Sequence, residues 1–129
     1  MAYVHLVLAL AVVEFLLFGL AVARARERYH VAAPATTGNE MFERYFRVQM
    51  NTLEQLVIFI PSLLLFARYV NPYVAAVLGA LFVVGRALYF RGYVQRPEQR
   101  HVGFLIGGIP TFVLLAGAVI GALRAVLPL

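Results

Sequence analysis

On a helix, Arg47, Asn51 and Glu54 fall within about 60° of one another. They form one polar stripe just before the apolar run Leu56–Ala67. Charged and amide groups at such a depth are costly unless paired or hydrogen-bonded. Two uses suit them: binding something polar at a membrane surface, or hydrogen-bonding neighbouring helices together. Gln49 lies on nearly the opposite face, so it cannot serve the same pocket in the same subunit. If Gln49 touches a ligand, it most simply reaches one held by a neighbouring chain.

A second constellation comprises Arg86, Tyr89 and Tyr93, which share a face at spacings i, i+3 and i+7. Arg100 joins that face if the helix continues past Pro97, which as a helix breaker decides the matter. Taken singly, such arginines and tyrosines read as interfacial anchors. Two polar stripes on the same side instead suggest an anion-friendly pocket, where arginine forks hold carboxylates and a tyrosine hydroxyl or an arginine holds a thiolate. Glu14, alone in the first apolar run, is either a proton or cation site or an inward-facing group bonded to another helix.

Several chemistries are excluded. There are no cysteines, hence no disulfide, thiolate metal site or cysteine nucleophile. His5, His30 and His101 lack metal-ligand spacing, and neither a phosphate-cradling glycine loop nor a serine-nucleophile motif occurs.

The elements that position these residues follow from composition. A chain of 129 residues, 63% hydrophobic with mean hydropathy +0.85, reads as an all-α integral membrane protein, a four-transmembrane-helix bundle in one domain, residues 1–129. The spans fall at about 4–23, 53–70, 72–90 and 102–126, each near the length a bilayer core requires. The first apolar run has no basic leader, so it reads as a permanent span. Asn71-Pro72 is a turn and helix-start signal, and Thr37-Gly-Asn-Glu40 has capping-box spacing that starts the second helix near Asn39. Gly117-Ala-Val-Ile-Gly121 carries the spacing of close helix packing.

All 11 basic residues are arginines. Arg24, Arg26, Arg28, Arg44 and Arg47 follow the first span, and Arg86, Arg91, Arg96 and Arg100 end the third. The positive-inside rule makes that side cytoplasmic, with the connection 24–52 and the loop 91–101 there and both termini opposite. Arg68 and Arg124 alone dissent. Arginines clustered between apolar runs fit membrane topology and not a nucleic-acid face.

Phe42-Glu-Arg-Tyr-Phe-Arg-Val-Gln-Met-Asn-Thr-Leu-Glu54, followed by Gly85-Arg-Ala-Leu-Tyr-Phe-Arg-Gly-Tyr93, resembles the membrane-associated proteins of eicosanoid and glutathione metabolism, the MAPEG superfamily. Pro34-Ala-Thr-Thr-Gly38 is similar to that family's first loop. The likeness covers essentially the whole chain and is strongest to bacterial members and microsomal glutathione transferases. It implies a homotrimer with glutathione between adjacent protomers near the cytoplasmic face. The family's glutathione-binding residues fall on Arg26, Arg47, Gln49, Asn51, Glu54, Tyr89 and Tyr93, with Gln49 serving the neighbouring subunit's site. Its thiolate-stabilising catalytic arginine falls on Arg100; Pro97 before it leaves Arg96 as the alternative. Departures are Gln55 where several relatives have tyrosine, Val57 where the family has its helix-two proline, and Glu27 where one relative has a second loop arginine.

The resemblance therefore implies a glutathione-dependent transferase or peroxidase acting on lipophilic electrophiles or lipid hydroperoxides. Its co-substrate is glutathione, it uses no metal, and membrane lipids and a lipophilic second substrate are its other partners. The alternatives are a non-catalytic lipid-binding scaffold of the same family and a small proton-coupled multidrug exporter using Glu14. The lysine-free, alanine- and valine-rich composition suggests a bacterial inner membrane; a eukaryotic source implies the endoplasmic reticulum membrane.

Overall fold

The computed structural model describes residues 1–95 and 100–128, with the backbone alone at residues 100, 102 and 103. It contains four helices: α1 (Ala2–Tyr29), α2 (Glu40–Tyr69), α3 (Pro72–Gln95) and α4 (Arg100–Val126). Each is long and apolar enough to cross a membrane. α2 and α3 pack against one another and each against both outer helices, whereas α1 and α4 barely meet. The polar stripes thus lie on the two central helices.

Local chemistry explains the helix starts. Asn39 sits in an extended conformation, and its side chain accepts a hydrogen bond from the Phe42 N–H at 3.0 Å. It is therefore Asn39, and not Thr37, that caps α2. Asn71 Oδ1 accepts from the N–H groups of Tyr73 and Val74 at 2.8 and 3.0 Å, with Pro72 as the first helical residue. A proline at that position loses no intrahelical bond and arrives with helical φ preset.

The helices outrun the apolar spans, most of all at the arginine-rich end. α1 continues six residues past Ala23 to Tyr29, where His30 closes it in the left-handed conformation at φ 56°. Arginine is a good helix former, and Arg26 and Arg28 in the last turn suit the negative end of the helix dipole. Apolarity marks the membrane, not the helix end. Pro61 lies within α2 and Pro110 within α4 without ending either, as neighbouring helices allow in membrane bundles.

The core is built from Val7, Phe59, Leu63, Phe82 and Leu114, with the Phe59 and Phe82 rings stacked at 3.8 Å. Outward faces stay apolar: Leu6, Leu10, Leu16, Leu17 and Leu20 of α1 are all exposed, as lipid contact requires. Small residues set the closest approaches. A methyl group at Gly85 would overlap the backbone of Gly107, so α3 and α4 cross glycine on glycine. Gly117 lies against the Phe66 ring, and a Cβ at Gly121 would stand 2.8 Å from the Tyr69 Cβ. The glycine pair of α4 thus packs on α2.

Backbone atoms cannot swing aside as side chains do. Gly85→Ala should therefore lower stability by about 1–3 kcal/mol, read as a fall in the detergent-solubilised melting temperature. An unchanged melting temperature would show that the two helices do not cross this closely.

Candidate functional site

α2 buries a face that includes Val48, Thr52, Phe59 and Leu63. Arg86 of α3 meets that face and is the largest fully buried side chain among the described residues, 1% exposed. Its Nη2 donates to Thr52 Oγ1 at 2.7 Å, and the Thr52 hydroxyl donates onward to the Val48 carbonyl at 2.7 Å. The guanidinium also lies 4.3 Å above the Tyr89 ring, an arrangement that attracts a cation to the π face. Arg86 is thus neither an interfacial anchor nor an open fork at a surface pocket: its head turns into the bundle because Thr52 and Tyr89 receive it there.

Glu14 of α1 is the counterpart. Its Oε1 and the Arg86 Nε are both buried without a hydrogen-bond partner among the described residues. Arg86 is the cationic neighbour of Glu14 from α3, but the two form no ion pair. Glu14 therefore faces the bundle interior without a direct polar partner for that oxygen among the described residues. Thr52 is a polar residue that the sequence reading passed over. Its signal was position: it shares the inward face with Val48 and Phe59, where a hydroxyl needs a partner.

The resemblance-derived residues fall into separate places. Arg47 and Glu54 are exposed on one flank of α2's buried face, with half-buried Asn51 between them. Asn51 Oδ1 is itself buried and has no hydrogen-bond partner among the described residues. Gln49 lies on the other flank, close against α1: a Cβ at Gly19 would stand 3.1 Å from its amide nitrogen. Tyr89 is buried with Phe18 and Val48, and Tyr93 packs beside it with ring centroids 5.6 Å apart. Arg100 opens α4, but its side chain, and Arg96 and Pro97 entirely, lie outside the described residues.

Arg26 has a role within its own chain. Its guanidinium donates to the carbonyls of Ala35 at 2.7 Å and Val31 at 3.4 Å, and lies 4.8 Å over the Phe42 ring. It fastens the connection after α1 onto the start of α2. Beside it Arg44 reaches from α2 to the Val94 carbonyl at 3.0 Å while pairing with Glu40 at 2.9 Å. These bonds hold the arginine-rich ends of α1, α2 and α3 together.

A groove of about 310 Å³ runs between α1 and α2 at this end, with Leu17 and Leu20 below Arg24, Arg28, Tyr29 and Tyr45. A shallower hollow of about 450 Å³ lies beside Arg26, Glu27 and His30. The first groove is lined by none of the glutathione-site residues that the resemblance implies. Its chemistry, cationic at the rim and apolar beneath, suits an amphipathic anion. Among the described residues, neither of these two hollows is lined by the flanks of α2 at Arg47 and Gln49 or by the Tyr89–Tyr93 pair.

The chain is similar to known proteins over most of its length. The profile described as MAPEG family matches residues 4–120. An uncharacterized protein of Synechocystis sp. is 51% identical over 118 residues, covering 92% of this chain and 86% of its own. Human microsomal glutathione S-transferase 2 is 42% identical over 102 residues, or 78% of this chain and 69% of its own. Leukotriene C4 synthase of Cavia porcellus is 34% identical over 111 residues, 86% and 74% of the two chains.

Proposed function

The chain belongs to the MAPEG family, and on that premise we propose that it is a glutathione-dependent membrane transferase or peroxidase. Glutathione binds between the subunits of a homotrimer, each subunit a single membrane domain. The site lies at the arginine-rich end, taken as the cytoplasmic face of a bacterial inner membrane. The observation that carries the reading is the flank of α2: a buried, unpartnered Asn51 oxygen between the exposed Arg47 and Glu54. A buried acceptor without a donor is unfavourable until something supplies one. The amides and ammonium of a peptide are such donors.

Roles follow from charge. Arg47 and Arg26 hold glutathione carboxylates, while Asn51, Glu54, Tyr89 and Tyr93 orient its backbone and amine. Gln49, on the opposite flank, serves the adjoining subunit's ligand. Arg100 supplies the cation that favours the thiolate, since a nearby positive charge stabilises the ionised form. The thiolate then attacks an electrophilic carbon to form a carbon–sulfur bond as the leaving group departs. With a lipid hydroperoxide it attacks the terminal peroxide oxygen; a second glutathione completes the reduction to alcohol, water and glutathione disulfide. The lipophilic substrate enters sideways from the bilayer.

This reading is supported by the names of the enzyme relatives, and family membership displaces the exporter alternative for Glu14. Equilibrium dialysis with glutathione tests it. Saturable binding is expected in the wild type, with Arg47→Ala weaker by about ten- to a hundred-fold, the loss of one bidentate charge-assisted contact. A protein that binds no glutathione would instead be the lipid-binding, non-catalytic alternative.

A further inference from the structure

We propose that the groove between the C-terminal turns of α2 and α4 binds one anionic phospholipid, its phosphate held between Arg68 and Arg124. This site is at the opposite end of the bundle from the glutathione site and does not depend on it. The groove encloses about 560 Å³ and is lined by Arg68, Tyr69, Val70, Ile120 and Arg124, with Gly117 and Gly121 along its floor.

Charge is the first argument. Arg68 and Arg124 are both exposed, and neither has a hydrogen-bond or ion-pair partner among the described residues. Along α2 the acid closest to Arg68 is Glu54, roughly 21 Å of helix away, and Glu14 lies deep within α1. Among the described residues, two guanidinium forks therefore line one groove with their donors unmet and no carboxylate side chain to neutralise them. A phosphate diester accepts bonds from both forks at once.

Topology is the second. These two arginines are the ones that depart from the charge asymmetry of the chain, and arginine on the translocated side opposes the preferred orientation. Each sits in the last turn of a membrane-crossing helix, at the depth where lipid headgroups lie. Dipole stabilisation accounts for a cation at either helix end, but not for two ends brought to one groove.

Packing brings them there. Gly117 and Gly121 let α4 close onto Phe66 and Tyr69, and a Cβ at either would collide. The helices thus touch below the arginines, while Val70 and Ile120, both exposed, offer an apolar wall for an acyl chain. A soluble anion would leave that wall uncovered, and so the occupant is a lipid.

The test is competitive lipid retention. Purified protein equilibrated with equal phosphatidylglycerol and phosphatidylcholine of matched chains is analysed by native mass spectrometry. The wild type should keep phosphatidylglycerol about ten-fold over phosphatidylcholine, as two interfacial arginines acting on one extra negative charge would give. Arg68→Gln/Arg124→Gln should abolish the preference. Arg91→Glu, an equal change of net charge at an exposed arginine at the other end, should preserve it. A wild type without preference, a double variant that keeps it, or an equal loss in both variants would each overturn the site.

Discussion

Arg86→Met should melt well below the wild type, with a loss on the order of 3 kcal/mol. The substitution nearly conserves length and apolar volume, so the deficit reports charge and hydrogen bonding. Thr52 loses the donor that reaches it at 2.7 Å, and the Tyr89 face loses its cation. Glu14 also loses its cationic neighbour on α3, although no ion pair joins the two. Without that neighbour, ionising Glu14 inside the membrane bundle costs more. The companion experiment separates these contributions. Glu14→Leu combined with Arg86→Met replaces both charges by apolar groups, which is often nearly neutral when the whole set is exchanged. The double variant should therefore recover much of the loss, giving a coupling of about 1–3 kcal/mol. Strict additivity would mean that Glu14 and Arg86 do not compensate one another, and the lone-carboxylate reading of Glu14 would return.

What could be read from the sequence was what depends on neighbours along the chain. Asn71-Pro72 starts a helix because the cap, its two N–H donors and the proline are adjacent. The angular split between Arg47, Asn51 and Glu54 on one side and Gln49 on the other follows from helix geometry alone. Four helices follow from apolar runs of the right length. The contacts that stayed hidden depend on partners elsewhere in the chain. Arg86 was placed in a polar stripe by its spacing to Tyr89 and Tyr93; its burial depends on Thr52, 34 residues earlier. The second task of Arg26 was hidden because nothing local reveals that the chain returns Ala35 to its guanidinium. The Gly85–Gly107 crossing joins two glycines in motifs with no common spacing. Even the groove beside Arg24 and Arg28 needs Tyr45 from another helix to exist.

In the proposed site, Arg100→Ala should lower the glutathione-dependent rate with a chlorinated nitrobenzene by about a hundred-fold, while glutathione affinity changes little. The split is expected because a group facing the sulfur acts on the thiol–thiolate equilibrium more than on the peptide's carboxylates. The pH profile gives the sharper readout. A free thiol ionises near pH 8.5, and an adjacent cation lowers that value, so the wild-type rate should plateau at lower pH. Removing the cation raises the thiol pKa again, which shifts the rising limb of the profile upward by about one unit. Part of the stabilisation should survive, since residue 100 opens α4 and a helix N-terminus presents unpaired N–H groups and the positive end of its dipole to an anion. Arg96→Ala is the necessary companion, because Pro97 stands between the two arginines. If Arg96→Ala moves the profile and Arg100→Ala does not, the thiolate role passes to Arg96. If neither moves it, the first turn of α4 or a neighbouring subunit carries the charge that activates the sulfur.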